Sequence, residues 1–291
     1  MDPHISKLPF WQTVWACYRL TWRHAGTILT YSWPLLIVLV ITRGLITWVT
    51  FEGPQKTISA GANFWTGDTI LMFTQTIAFI LASAMIAVPW HRYLLLGTPP
   101  TTSDLNPFQL RIWRYMKWEL LVFAPLIPAI WFSFGLVELG RTVIPPVDAE
   151  IITPLDKLLM GFGLLPGWLV AARISPVYPA RAVDDMSSLS SLWNLTQGNS
   201  WRLMAGAGLA IAPSWIGSEL CALLIEPTAK VSRLASVASD VVTDLINMTA
   251  GMTIVTFLSL AFIFFRRMPA PEAALETSRL SRPPNQSAAK Q

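Results

Sequence analysis

Residues 28–51 read ILTYSWPLLIVLVITRGLITWVTF, with Arg43 as the only charged side chain. A helix needs about 20 consecutive, mostly apolar residues to cross a bilayer. This stretch meets that length, so it reads as a spanning helix. Five further stretches reach similar length: 69–88, 120–139, 155–174, 203–225 and 241–265. The sequence therefore predicts an all-α polytopic transmembrane helical bundle of about six spans. The spans are arranged as three hairpins, with interfacial amphipathic helices at their approaches. The fourth stretch contains Gly161, Gly163, Pro166 and Gly167, which leaves a kinked span and a re-entrant segment both open.

Composition agrees. Of the 291 residues, 53% are hydrophobic and 13% charged, against about 25% charged in soluble domains. Mean hydropathy is +0.48. The chain carries a formal charge of +4, and in a membrane protein an excess of Lys and Arg marks cytoplasmic loops rather than a nucleic-acid surface. Placed against the six spans, fifteen of the 21 Lys and Arg residues fall on one side, five on the other, and Arg43 inside a span. That alternation predicts both termini in the cytoplasm. The expected organisation is a cytoplasmic, interfacial segment (1–27), a transmembrane domain (28–265) and a disordered cytoplasmic tail (266–291) rich in Pro, Ala and Ser. Residues 1–24 contain Trp11, Trp15, Trp22, Arg19 and Arg23, a pattern unlike a cleavable signal. Cys17 and Cys221 form no CxxC and read as small apolar residues.

The approaches to the first, third and fifth spans resemble one another. Trp22-Arg23 precedes Pro34 by the same interval at which Trp201-Arg202 precedes Pro213, and Trp33 and Trp215 lie beside those prolines. A looser third copy runs from Trp113 through Trp118-Glu119 to Pro128. Trp favours the headgroup layer, and Arg beside it can bind phosphate or snorkel.

Two motifs carry a family resemblance. AVPWHRYLLLG spans 87–97 and LSSLWNLTQGNSWRLM spans 189–204. Together they resemble bacterial polytopic inner-membrane proteins of the YciC-like and glycerophosphodiester-phosphodiesterase membrane-domain groups. The resemblance implies a multi-span helical domain of the cytoplasmic membrane. It implies no activity for that domain, and this chain has no soluble phosphodiesterase domain to which hydrolysis would belong.

No catalytic set stands out. His4, His24 and His91 make no HxxxH or HExxH motif, and there is no Walker loop. The sequence calls for no metal and no cofactor. Gly163 and Gly167 have the spacing of close helix packing in lipid. Asp184-Asp185 could ligate Mg²⁺, though a loop or capping role before Ser187-Ser188 is the favoured reading. Gln75, Asn247 and Thr249 are candidates for buried interhelical hydrogen bonds. Charge inside a bilayer is costly, so Arg43 needs a partner. Its depth matches that of Glu219, which predicts an Arg43–Glu219 ion pair with Glu138 as substitute. Trp90, His91, Arg92, Trp22, Arg23, Trp201 and Arg202 are candidate contacts for lipid headgroups.

The favoured functional reading is a non-enzymatic envelope component that interacts with membrane lipids, or with a protein partner or a second copy of itself, and not with nucleic acid. A small-solute transporter or channel using Arg43 and Glu219 is the alternative. A membrane enzyme acting on lipid headgroups near His91, Arg92, Asp184 and Asp185 is a second.

Overall fold

A computed structural model describes residues 7–50, 67–143, 154–229 and 232–266. Arg267 and everything after it, and with them nearly all of the expected tail, lie outside the described residues, as do Lys56, Asp148, Glu150 and Lys230. The described residues form ten α-helices and one 3₁₀ turn, Thr102–Leu105. Six stretches are long and apolar enough to cross a membrane, and the chain is a multi-pass membrane protein.

The short helix α1 (Phe10–Arg23) leads into the long α2 (Ala25–Thr50), which pairs with α3 (Gly67–Leu96). Next come α4 (Leu110–Phe123) and the paired α5 (Leu126–Val143) and α6 (Pro154–Ile174). The short helices α7 (Val177–Ala182) and α8 (Leu189–Leu195) precede the longest pair, α9 (Ser200–Ala229) and α10 (Arg233–Arg266). The order of short helix and long hairpin thus occurs three times.

Local chemistry sets the breaks. Pro125 has no N–H to donate and its ring clashes with the preceding turn. Accordingly α4 stops at Phe123 and α5 restarts after one turn, with Ile127 N–H on the Ala124 carbonyl. In α6 the helix runs unbroken through Pro166, so the fourth stretch is continuous rather than re-entrant. Its glycines are the reason α5 and α6 lie so close. A Cβ on Gly163 would stand 2.7 Å from the Ser133 backbone, and one on Gly167 2.7 Å from Ala129 Cβ. At the far end Arg141 of α5 holds the buried Asp156 of α6 at 3.2 Å.

The last helix is the axle of the bundle: α10 packs on α9, α2, α1, α3 and α7. It begins eight residues earlier than the sequence suggested, at Arg233 rather than 241. Its buried residues run from Ala250 to Phe262, so the core lies in the half of the molecule that carries α1, α4, α7 and α8. Trp90, Phe257, Phe262, Ile112, Leu192 and Leu203 fill it. In the other half Leu220, Leu223 and Leu224 face outward, which is where hydrocarbon meets a spanning helix.

Candidate functional site

The arginine-rich end is built around a buried polar seam. Thr256 of α10 donates its one hydroxyl hydrogen to the Met252 carbonyl (2.8 Å), so it accepts from both Trp90 Nε1 (2.8 Å) and Thr21 Oγ1 (3.0 Å). One turn further, Ser259 donates to the Val255 carbonyl (2.9 Å). It must therefore accept from His91 Nδ1 (2.7 Å), which leaves His91 Nε2 to accept from Tyr115 (3.3 Å). Trp90 and His91 have no accessible surface. The expectation that they touch lipid headgroups is corrected: a Trp-His pair at a helix end looks interfacial in sequence, but Thr256 and Ser259 draw both rings inward.

The second motif is a knot of backbone contacts. Trp193 lies under the Arg173 guanidinium, 3.7 Å from its centroid, and Thr196 donates to the Arg173 carbonyl (3.1 Å). Gly198 turns the chain at φ +75°, where a side chain would strain the backbone. That turn delivers Asn199, whose Oδ1 accepts from Leu8 N–H (2.8 Å), while Arg202 donates to the Leu8 carbonyl (2.6 Å). The loop before α9 thereby ties down the entry to α1.

Asp184 and Asp185 anchor the arginines. Asp184 takes a two-pronged contact from Arg111 (2.6 and 3.1 Å) and lies 3.6 Å from Arg92. Asp185 pairs with Arg266 (2.6 Å) and accepts from Ser187 N–H (2.9 Å) and Oγ (2.6 Å). Ser188 then caps α8 through Ser191 N–H. The Arg111 guanidinium, with Arg92 and Arg114 behind it, holds the Asp184 carboxyl below the usual carboxylate range. At Asp185 burial acts upward, and Ser187 with Arg266 and Arg181 outweighs it, so that carboxyl is also lowered. Mg²⁺ is not the partner these side chains have: their oxygens are already occupied by guanidinium and backbone donors. No cluster of three metal-binding side chains exists among the described residues.

Inside the bundle, the Arg43–Glu219 expectation is corrected. Arg43 faces α10, with Asp240 at 3.3 Å and Asp244 at 3.8 Å, and donates to Gln75 Oε1 at 2.7 Å. Thr47 completes the set by donating to Asp240 (2.5 Å). Glu219 and Glu138 are exposed on α9 and α5. Asp240 falls just before the stretch that the sequence offered as the sixth span and Asp244 just inside it; their i,i+4 spacing is the signal that places them on one face. Asn247 and Thr249 are exposed rather than buried.

A lateral groove of about 450 Å³ opens between α4, α6, α9 and α10. Its lining includes Phe123, Leu165, Trp168, Tyr178, Ile211 and Leu258. Trp201 and Ala205 line this groove and also a second cleft, of about 380 Å³, closed by Phe10, Trp11 and Arg202. Around that end Trp11 (72%), Trp15 (71%), Trp22 (77%) and Trp201 (62%) are exposed. Arg23 is exposed beside Trp22, whereas Arg92 is partly buried against the Ala182 carbonyl.

The fold and these features define a class, that of multi-pass α-helical membrane proteins. No family model, no curated protein and no solved structure matches the chain.

Proposed function

We propose that this protein binds a membrane phospholipid from the side, with an acyl tail in the apolar groove and the phosphate near Arg202. The observation that carries the reading is the junction at Trp201 and Ala205. There an apolar groove and an arginine-bearing cleft share one wall. From Trp201 to Ile211 the groove follows ten residues of α9, about 15 Å at 1.5 Å per residue. That is half of a hydrocarbon core about 30 Å thick, the depth of one leaflet. The exposed Trp residues around the mouth suit the headgroup layer. The loop bias in Lys and Arg supports placing this end, and both termini, at the cytoplasmic face of a bacterial inner membrane.

Native mass spectrometry of the protein released from nanodiscs tests the reading. Wild type should carry one or more phospholipids. Gly208→Trp, which fills the groove from α9, should lose most of them while keeping its helical content. Equal lipid retention in the two would overturn it.

A further inference from the structure

Resting on the lateral lipid site just proposed, we infer a second acyl-chain site on the other side of α10, in a cleft of about 220 Å³ between α1, α2 and α10. Trp22, Ala25, Ile28 and Leu29 wall it where α1 passes into α2. Counted from the paired Trp-Arg motifs, these four stand where Trp201, Met204, Ala207 and Gly208 stand on the approach to Pro213. All four of those counterparts line the first groove. The internal repeat thus offers the same helix face twice. Ile28 and Leu29 are bulkier than Ala207 and Gly208, in keeping with a cleft about half the size of the groove. The opposing wall comes from α10 each time. Thr249, Met252 and Thr253 border the cleft, Ile254 and Leu258 the groove. At 3.6 residues per turn the two sets lie on roughly opposite sides of the helix.

The chemistry of the cleft fits hydrocarbon. Four residues with hydroxyls border it, and each hydroxyl has one hydrogen to donate. Tyr18 gives its own to the Leu209 carbonyl, which Pro213, four residues on, has no N–H to satisfy. Thr21 donates to Thr256 (3.0 Å), Thr249 to the Leu245 carbonyl (3.0 Å) and Thr253 to the Thr249 carbonyl (2.9 Å). No hydroxyl hydrogen is left over for a polar ligand, and no charged side chain lines the cleft among the described residues. The cleft is also continuous with the surface that meets the bilayer. Its wall residue Leu29 begins an exposed stripe, Leu29, Trp33, Ile37, Ile41 and Leu45, that runs along α2 at every fourth residue. Trp22 at the rim is exposed and suits the headgroup layer. Ile28 and Met252, each 7% exposed, form the floor. Arg23 follows Trp22 as Arg202 follows Trp201, but it does not line the cleft, so the fit is to an acyl chain rather than to a headgroup.

The test is photo-crosslinking in phosphatidylcholine nanodiscs doped with a phosphatidylcholine that carries a diazirine in one acyl chain, with the labelled residues mapped by mass spectrometry. Wild type should be labelled at the floor residues Ile28 and Met252. Thr249→Trp, which fills the cleft from an exposed position on α10, should lose most of that label and keep the label at Leu258 in the first groove. Ala25→Trp fills the cleft from the opposite wall and should do the same. Gly208→Trp should remove the Leu258 label alone. Wild-type label confined to the outward stripe from Leu29 to Leu45 would overturn the inference, since any lipid beside the protein could leave it. So would floor label that persists in both cleft variants. Wild type labelled at Leu258 but not at Ile28 and Met252 keeps the first groove and removes this site. The reverse pattern removes the first groove and keeps the cleft.

Discussion

Arg43 of α2 and Asp240 of α10 meet at 3.3 Å inside the bundle, each side chain about one-third exposed. The pair joins the first and last spanning helices. With Gln75 and Thr47 attached it draws three helices together. Arg43→Gln and Asp240→Asn should each lower the melting temperature in detergent. Their double-mutant cycle should give a coupling of roughly 0.5–3 kcal/mol. Glu219→Gln should stay within about 0.5 kcal/mol of wild type. Strictly additive losses for the first two would show that the contact contributes nothing.

The Asp184 clasp predicts acid sensitivity. Its carboxyl is lowered in the folded protein by Arg111. The stabilisation is therefore fully present above the unfolded value of about 3.9 and is lost as pH falls through the folded value. With the side chain 44% exposed, solvent screens the pair, and its contribution should be at most about 1 kcal/mol. Asp184→Asn should lower the melting temperature slightly at pH 7 and flatten its decline between pH 5 and 3. A variant that declines as steeply as wild type would assign the acid transition elsewhere.

Thr256 serves Trp90 and Thr21 at once, so Thr256→Val strands two buried donors. Each unsatisfied group costs about 1–3 kcal/mol. The variant should melt well below wild type. Ser259→Ala should add an independent loss by leaving His91 Nδ1 without an acceptor. Near-neutral effects in detergent melting would mean that the seam is filled by water.

Gly206 faces Phe257. A Cβ there would stand 2.2 Å from the Phe257 ring, which has no accessible surface. Gly206→Ala should destabilise by about 1–3 kcal/mol through overpacking, and Phe257→Leu in the same chain should recover part of the loss. Gly135, with nothing within 4 Å of an added Cβ, should accept Ala with no loss. Equal melting temperatures for both alanine variants would mean that α9 and α10 can slide apart freely.

Cys17 is wholly buried on the inner face of α1, and burial pushes its thiol up to about 12 despite the lowering effect of the Tyr18 backbone hydrogen bond. In a Cys221→Ser background, maleimide at pH 8 should label the protein only after denaturation, because the thiolate is the nucleophile. Rapid labelling of the folded form would detach α1 from the bundle.

The six crossings and the amphipathic nature of α1 and α4 were legible in the sequence because both follow from local patterns. Bilayer-length apolar runs define a span, and α1 spaces Trp11, Trp15 and Trp22 along one face. Packing of Gly163 and Gly167 against Ser133 and Ala129 was also signalled by spacing alone. What the sequence could not carry was partner choice. Arg43 had Glu219 and Glu138 as the candidates its depth suggested, and only the register of α10 against α2 decided for Asp240 and Asp244. Trp90 and His91 looked like interfacial anchors until Thr256 and Ser259 arrived from a helix more than 160 residues away. Hydrophobic length is a property of neighbouring residues and is written along the chain. The pairing of a charge or a hydroxyl depends on which helices become neighbours, and that is settled only when the bundle closes.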